Sequence, residues 1–221
     1  MTLTDIVKTM KSKGYVVYKE PFRLNIVGIR TGSSTSVNFD DYIAYFWYDD
    51  KGVLQGKISL ATTDPSVGFL NDPLQSKGTA ILKSGQYLDA YKIGYHKGEY
   101  LALVQDKPVT VIRDNDRNDL LNFFSTTESG LFGINIHKSS IGGNYLIIGK
   151  DSAGCQVFQD PSDFLHMMQA AQVSKSKYGN SFTYTLIDQK DTTKFQRNIA
   201  LVGVGLVLVG VGLYFYTKKI K

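Results

Sequence analysis

Between Asn198 and Thr217 the chain carries twenty consecutive residues without a charge, most of them Leu, Val, Ile or Gly. At about 1.5 Å of rise per residue, a helix of that length spans a ~30 Å hydrocarbon core, and a helix satisfies its own backbone hydrogen bonds in lipid. Residues 198–217 are therefore expected to form a single-pass transmembrane helix. Tyr214, Phe215 and Tyr216 stand at one border, where interfacial aromatics belong, and the basic tail 218–221 follows. Lys190, Lys194 and Arg197 before the run nearly balance Lys218, Lys219 and Lys221 after it, so the positive-inside rule leaves the orientation open. Gly203 and Gly210, like Gly205 and Gly212, recur seven apart. That spacing admits a second helix and self-association, or simply reflects the tolerance of membrane helices for glycine. The first eight residues, Met1 to Lys8, lack the apolar segment of a secretory signal.

The remainder is long enough for one sizeable domain. Fourteen tyrosines, twelve phenylalanines and twenty-one glycines favour strands and tight turns over a helical bundle. A short helix is expected at 4–13, with Thr4 as its cap and Gly14 as its end. Strands are expected at 15–18, 22–30, 42–48, 53–61, 79–82, 91–95, 100–104, 109–113, 131–137, 145–148 and 182–187. Asp49-Asp50-Lys51-Gly52 reads as a hairpin turn, and residues 62–78 read as a long loop. Residues 115–124 read as a short helix or turn. Asp160-Pro161-Ser162-Asp163 opens a helix running to about Val173. The class is mainly β with two or three short helices, closed as a sandwich or as a curled, barrel-like sheet. Residues 1–77 form its N-terminal strand-rich part, 78–188 the remainder, and 189–197 a polar linker.

The net charge of +5 is spread rather than striped, so nucleic acid is not indicated as a partner, while an anionic wall polymer or membrane surface is compatible with it. The single cysteine, Cys155, excludes an internal disulfide. It follows a Ser152-Ala153-Gly154 turn and lies eighteen positions after His137 (155 − 137 = 18), which ends the apolar run Gly133-Ile134-Asn135-Ile136. A thiol becomes a useful nucleophile when a base lies beside it, and His137 is placed to be that base. The amides near Gly154 and Cys155 are then candidate oxyanion donors. On spacing alone, a packed thiol and a satisfied strand-end histidine remain an alternative.

These residues resemble the signature of the L,D-transpeptidases of the YkuD-like fold. The family pattern is a histidine followed, at about this spacing, by a Ser-His-Gly-Cys turn, and the likeness covers roughly residues 78–188. The wording Gly-Ile-Asn-Ile-His and Ser-Ala-Gly-Cys-Gln-Val is similar to that of a divergent phage and bacterial branch. The resemblance implies an L,D-transpeptidase-like β-sandwich with short helices. It also implies a cysteine acyltransferase or peptidoglycan hydrolase that acts on stem peptides through a thioester. Cys155 would be the acylated nucleophile and His137 its base; the Lys138 carbonyl would orient the imidazole, and Ser152 and Gly154 would shape the turn. The family usually has His where this chain has Ala153, and Arg or Asn where it has Val157. With the C-terminal run, this implies a membrane-anchored enzyme of a cell envelope or virion membrane. The rival is a catalytically inactive structural or adaptor protein anchored in the same way.

Among other residues, His96 is a cleft residue or a turn residue, Arg113 a cation for a substrate carboxylate or half of a local ion pair, and Tyr100 a further substrate-binding candidate. Arg30 and Thr62-Thr63-Asp64 carry weaker hints, and His166 reads as structural. Three histidines and one cysteine without HxxxH or CxxC spacing give no metal site, and neither a phosphate loop nor a dinucleotide fingerprint is present, so no cofactor is expected.

Overall fold

A computed structural model describes residues 1–140 and 146–192. Among them, eight strands close a barrel in the order β1-β11-β5-β6-β9-β10-β3-β2, and three more form a separate sheet, β4-β7-β8. The barrel strands are β1 (Asn25–Arg30), β2 (Asp41–Tyr48), β3 (Leu54–Thr62), β5 (Gly85–His96), β6 (Tyr100–Gln105), β9 (Ile136–Lys138), β10 (Gln156–Phe158) and β11 (Phe182–Asp188). The small sheet holds β4 (Thr79–Leu82), β7 (Val109–Asp114) and β8 (Thr127–Gly130). The protein is mainly β, with helices α1 (Leu3–Ser12), α2 (Val67–Asn71) and α3 (Pro161–Tyr178).

Of the two closures expected, the sheet takes the curled, barrel-like one, and the two-layer sandwich of the family resemblance is not formed. Its closure comes from a pairing of distant segments: β1 runs parallel to β11, with Arg30 opposite Asp188, and antiparallel to β2, with Ile29 opposite Tyr42. Residues 1–77 and 78–188 therefore share one sheet. An eight-stranded barrel is just wide enough for side chains to fill. Ile26, Ile43, Tyr45, Tyr91, Phe158, Tyr184 and Leu186 do so, together with Phe164 and Met167 of α3. Gly28 leaves room inside for the Tyr184 hydroxyl, which donates to Gln156 Oε1 at 2.7 Å. On the outer face, Ile6, Val7 and Met10 of α1 cover Val27, Ile29, Ala44 and Phe46. That cover is why every residue of β1 is buried although its side chains alternate.

Several boundaries differ from expectation. Helix α1 is capped by Thr2 rather than Thr4, through a reciprocal box with Asp5. Residues 15–18 are extended but join no ladder. Side-chain amides replace it: Gln86 bonds both backbone groups of Val16 at 2.8 and 2.9 Å, and Asn25 bonds both of Tyr18 at 2.9 Å. The single strand expected at 131–137 is split, with β8 before it in the small sheet and β9 at its end in the barrel. Gly133, at φ +72°, lies between them, and Gln105 Oε1 accepts the N–H groups of Phe132 and Ile134 at 3.0 and 3.1 Å. Residues 115–124 contain turns and no helix, whereas the 62–78 loop does contain α2. Helix α3 begins at its Asp160 cap as expected and extends past Val173 to Tyr178.

The expected linker starts helically at 189–192, where Asp191 pairs with Lys13 of the segment after α1 at 2.8 Å. Residues 141–145, residues 193–197, the apolar run 198–217 and the tail 218–221 lie outside the described residues. Among the described residues, no helix is long and apolar enough to cross a membrane.

Candidate active site

The parallel pairing of β9 with β10 brings His137 and Cys155 together. Ile136 lies opposite Gln156 and His137 opposite Val157, while Gln156 N–H donates to the Asn135 carbonyl at 2.9 Å. Cys155 is thus level with Asn135, two residues before His137. Ladder geometry then separates the His137 and Cys155 Cα atoms by about 8 Å. Ile136 joins the barrel core and Gln156 reaches Tyr184 inside it, so Asn135, His137 and Cys155 stand on the outer wall. There they line one cleft of about 400 Å³, together with Ala80 and Arg113 of the small sheet and His96 at the end of β5. The site lies on the flank of the barrel, between its wall and the small sheet.

The turn before the cysteine is built tightly. Ser152 Oγ accepts the Gly154 N–H at 3.2 Å and donates to the Cys155 carbonyl at 2.8 Å, while the Ser152 carbonyl accepts Ser66 N–H at 2.8 Å. Gly154 has φ +122°, and a Cβ there would collide with the Ala80 carbonyl oxygen. Only glycine lets the turn press against β4 in this conformation. Just beyond, the buried Gln156 amide donates to the Thr63 and Gly154 carbonyls at 3.2 Å each. The Gly154 N–H is committed to Ser152, so it is not the oxyanion donor expected of it.

The Cys155 thiol donates to the Gly133 carbonyl at 3.5 Å and accepts the Asn135 N–H at 3.4 Å. The residue is half-buried, and burial pushes its thiol up, against the opposing pull of the Asn135 N–H. His137 is only 4% exposed. Its Nδ1 lies 2.8 Å from the Lys138 carbonyl, which assigns the proton to Nδ1 and leaves Nε2 as the lone-pair nitrogen. Nε2 is buried without a hydrogen-bond partner among the described residues. Burial, followed by the neighbouring His96 ring, depresses His137 to about 4. The resting pair is a neutral imidazole and a protonated thiol.

His96 is a buried member of the site and not a turn residue. Its ring stacks on His137 with centroids 4.2 Å apart, and its Nδ1 accepts from Asn135 Nδ2 at 3.0 Å. Burial lowers its pKa as well. Tyr100 does not line the cleft. Its hydroxyl lies 3.5 Å from both His137 Nδ1 and the Lys138 carbonyl, behind the imidazole. Lys138 places its ammonium 4.8 Å from the Tyr100 ring. Arg113 does line the cleft, but Glu128 holds its Nε at 2.8 Å and its Nη1 donates to the Gly78 carbonyl at 3.2 Å. Among the described residues, the cations left facing the cleft are the exposed Lys97 and Lys150, with Asp151 beside them.

Away from the cleft, the exposed His166 bonds the Tyr45 hydroxyl at 2.8 Å. Arg30 and Asp64 form a buried pair at 2.8 Å, with Arg30 also donating to the Leu82 and Thr63 carbonyls. Among the described residues, no group of three His, Cys, Asp or Glu side chains converges as a metal ion would require. Sequence reasoning passed over Asn135, Gln156, Lys97 and Lys150. Asn135 carried a signal, since a residue two before His137 shares its face of a strand. Comparison with family models, with curated proteins and with solved structures finds no match to this chain.

Proposed function

We propose that the protein is a membrane-anchored, cysteine-dependent, peptidoglycan-modifying enzyme of L,D-transpeptidase-like type. Peptidoglycan stem peptides would be its substrate and the segment 198–217 its anchor in a cell envelope or virion membrane. The observation that carries this reading is the state of His137. Its Nδ1 is fixed by the Lys138 carbonyl, its Nε2 is a buried base without a hydrogen-bond partner among the described residues, and the residue lines the same cleft as Cys155.

In this reading Cys155 Sγ attacks the carbonyl of an L-centre joined to a D-residue. As the S–C bond forms, the thiol proton passes to His137 Nε2. The C–N bond then breaks, and the leaving amine takes that proton. Water or a second amine attacks the resulting thioester, with His137 accepting the attacker's proton and returning it to the departing sulfur. Water gives trimming or cleavage, and an amine gives a crosslink. Asn135 N–H, already aimed at the sulfur, and the Cys155 N–H are the nearest candidates to face the oxyanion. Lys97 and Lys150 suit the carboxylates of a stem peptide.

The test is digestion of purified peptidoglycan by the full-length protein, with Cys155→Ala and His137→Ala as controls and muropeptides as the readout. New products that vanish in both variants support the enzyme reading and separate hydrolysis from crosslinking. An unchanged muropeptide profile overturns it. A structural or adaptor role draws its support from the resting ionisation, because a raised thiol beside a depressed imidazole is not an activated ion pair.

A further inference from the structure

One end of the barrel carries an apolar surface that the cleft chemistry does not use. Phe124 is 99% exposed, and Val37, Leu120, Leu146 and Ile147 are between 44% and 59% exposed. Single exposed apolar residues are ordinary, but a group of them on tethered loops marks a contact surface. The 33–39 loop ties them together: Leu120 bridges Thr35, Ile147 bridges Asn38, and Leu121 N–H donates to the Ser34 carbonyl at 2.9 Å. Phe124 is held outward by a built turn. Its N–H donates to Asn122 Oδ1 at 2.9 Å, and Asn122 N–H donates to Asp114 Oδ2 at 2.9 Å.

The same end is where the chain leaves towards its apolar run. Strands β1 and β11 are parallel with Arg30 opposite Asp188, so the 31–39 loop and residues 189–192 emerge together. Phe123 and Phe124 share a second cleft, of about 610 Å³, with Gln189 and Lys190. From Thr192 to Asn198 is six residues (198 − 192 = 6). Six residues reach about 9 Å as a helix and about 20 Å fully extended. A bilayer entered at residue 198 therefore lies within that distance of this end.

We infer that this barrel end docks on the lipid surface, with Phe124 and Leu120 inserted at the interface beside the membrane anchor. The inference rests on the reading of 198–217 as a transmembrane helix. The contact is apolar in character: Lys83 and Lys190 flank the cleft, while the loop that carries Phe124 mixes Arg117 with Asp116 and Asp119, so the docking rests on its apolar side chains and not on attraction to anionic headgroups. Docking would hold the barrel in one orientation and fix the height of the Cys155 cleft above the membrane.

The test uses full-length Phe124→Trp protein in phosphatidylcholine vesicles with brominated or ordinary acyl chains. The chain's own tryptophan, Trp47, lies at the opposite barrel end, since Phe46 pairs with Asn25, and the parent protein supplies its signal as the baseline. The expected result is blue-shifted emission from the added tryptophan, quenched several-fold by bromine while Trp47 is spared. Leu120→Trp should behave in the same way. Water-like emission that acrylamide quenches equally in vesicles and detergent overturns the inference. So does blue-shifted emission indifferent to bromine, which means that protein covers the residue. Co-flotation with the vesicles is scored separately. Protein that floats with a wet residue 124 refutes only the docking, whereas protein that does not float refutes the anchor and the docking with it.

Discussion

His137 makes the stability of this protein depend on pH in a defined window. The imidazole titrates near 6.5 when solvated and is depressed to about 4 in the fold. Between those values the unfolded chain binds a proton that the folded chain does not, so stability falls as the pH is lowered from about 6.5 and levels off below about 4. The shift of about 2.5 units, at 1.36 kcal/mol per unit, corresponds to about 3 kcal/mol. The residue is almost wholly buried, so little of this is lost to solvent screening. His96, stacked on it and also lowered, adds a contribution of the same sign. The measurement is urea unfolding of the full-length protein in detergent micelles at steps between pH 4 and 8, for wild type and His137→Gln. The variant will start from a different baseline because it loses the Lys138 contact. Its curve should nevertheless be shallower than wild type by up to about 1.4 kcal/mol per pH unit across the window. Parallel curves, or an NMR titration that places His137 at or above 6.5, would refute the neutral-base reading, and the mechanism built on it would fail.

Three further substitutions or treatments probe the scaffold and the thiol. Gly154→Ala forces a left-handed backbone and a collision with the Ala80 carbonyl, and should cost about 1–3 kcal/mol in thermal unfolding while displacing Cys155. Wild-type stability in that variant would mean that the turn does not press on β4. Tyr184→Phe leaves Gln156 Oε1 buried without its donor, and should lower the urea midpoint by the equivalent of about 1–3 kcal/mol. Alkylation of resting Cys155 should be slow at neutral pH and should rise only above the ordinary thiol range, because burial raises its pKa. Rapid labelling near pH 6 would show instead a resting thiolate.

What could be read from the chain was mostly local. The Asp49–Gly52 hairpin, strand β4 and the Asp160-Pro161 helix start depend on neighbouring residues, and their chemistry is written in a few positions. Thr2 was missed as the α1 cap because Thr4 offered the same side chain two residues later. The cap is decided by Asp5, which can close a reciprocal box only with the residue three before it. Which strands close the barrel was harder to foresee. Its closure depends on β1 meeting β11, more than 150 residues away, and no pattern within either strand names its partner. The continuous burial of β1 reflects α1 lying across its outer face, not a strand between two helix layers.

The site shows the same division. Cys155, His137, Ser152 and Gly154 were legible because turn glycines and nucleophile–base pairs have local signatures. His96 read as either a cleft or a turn residue, and the choice between the two depends on where the β5–β6 hairpin ends against β9. Leu103 pairs with Ile136 and His96 with Tyr100, and together those registers bring the His96 and Tyr100 rings to His137. A slip of one residue in either pairing would turn His96 to the opposite face of its strand and leave the imidazole of His137 without its stacking partner. His96→Ala tests that dependence. If the stacked ring helps keep His137 neutral, its removal opens the site to water, relieves the two largest causes of the depression, and moves the His137 titration back towards 6.5. The acid limb of any peptidoglycan-cleaving activity should then shift to higher pH, with Cys155 left in place. An acid limb unchanged in that variant would assign the depression to the barrel wall alone.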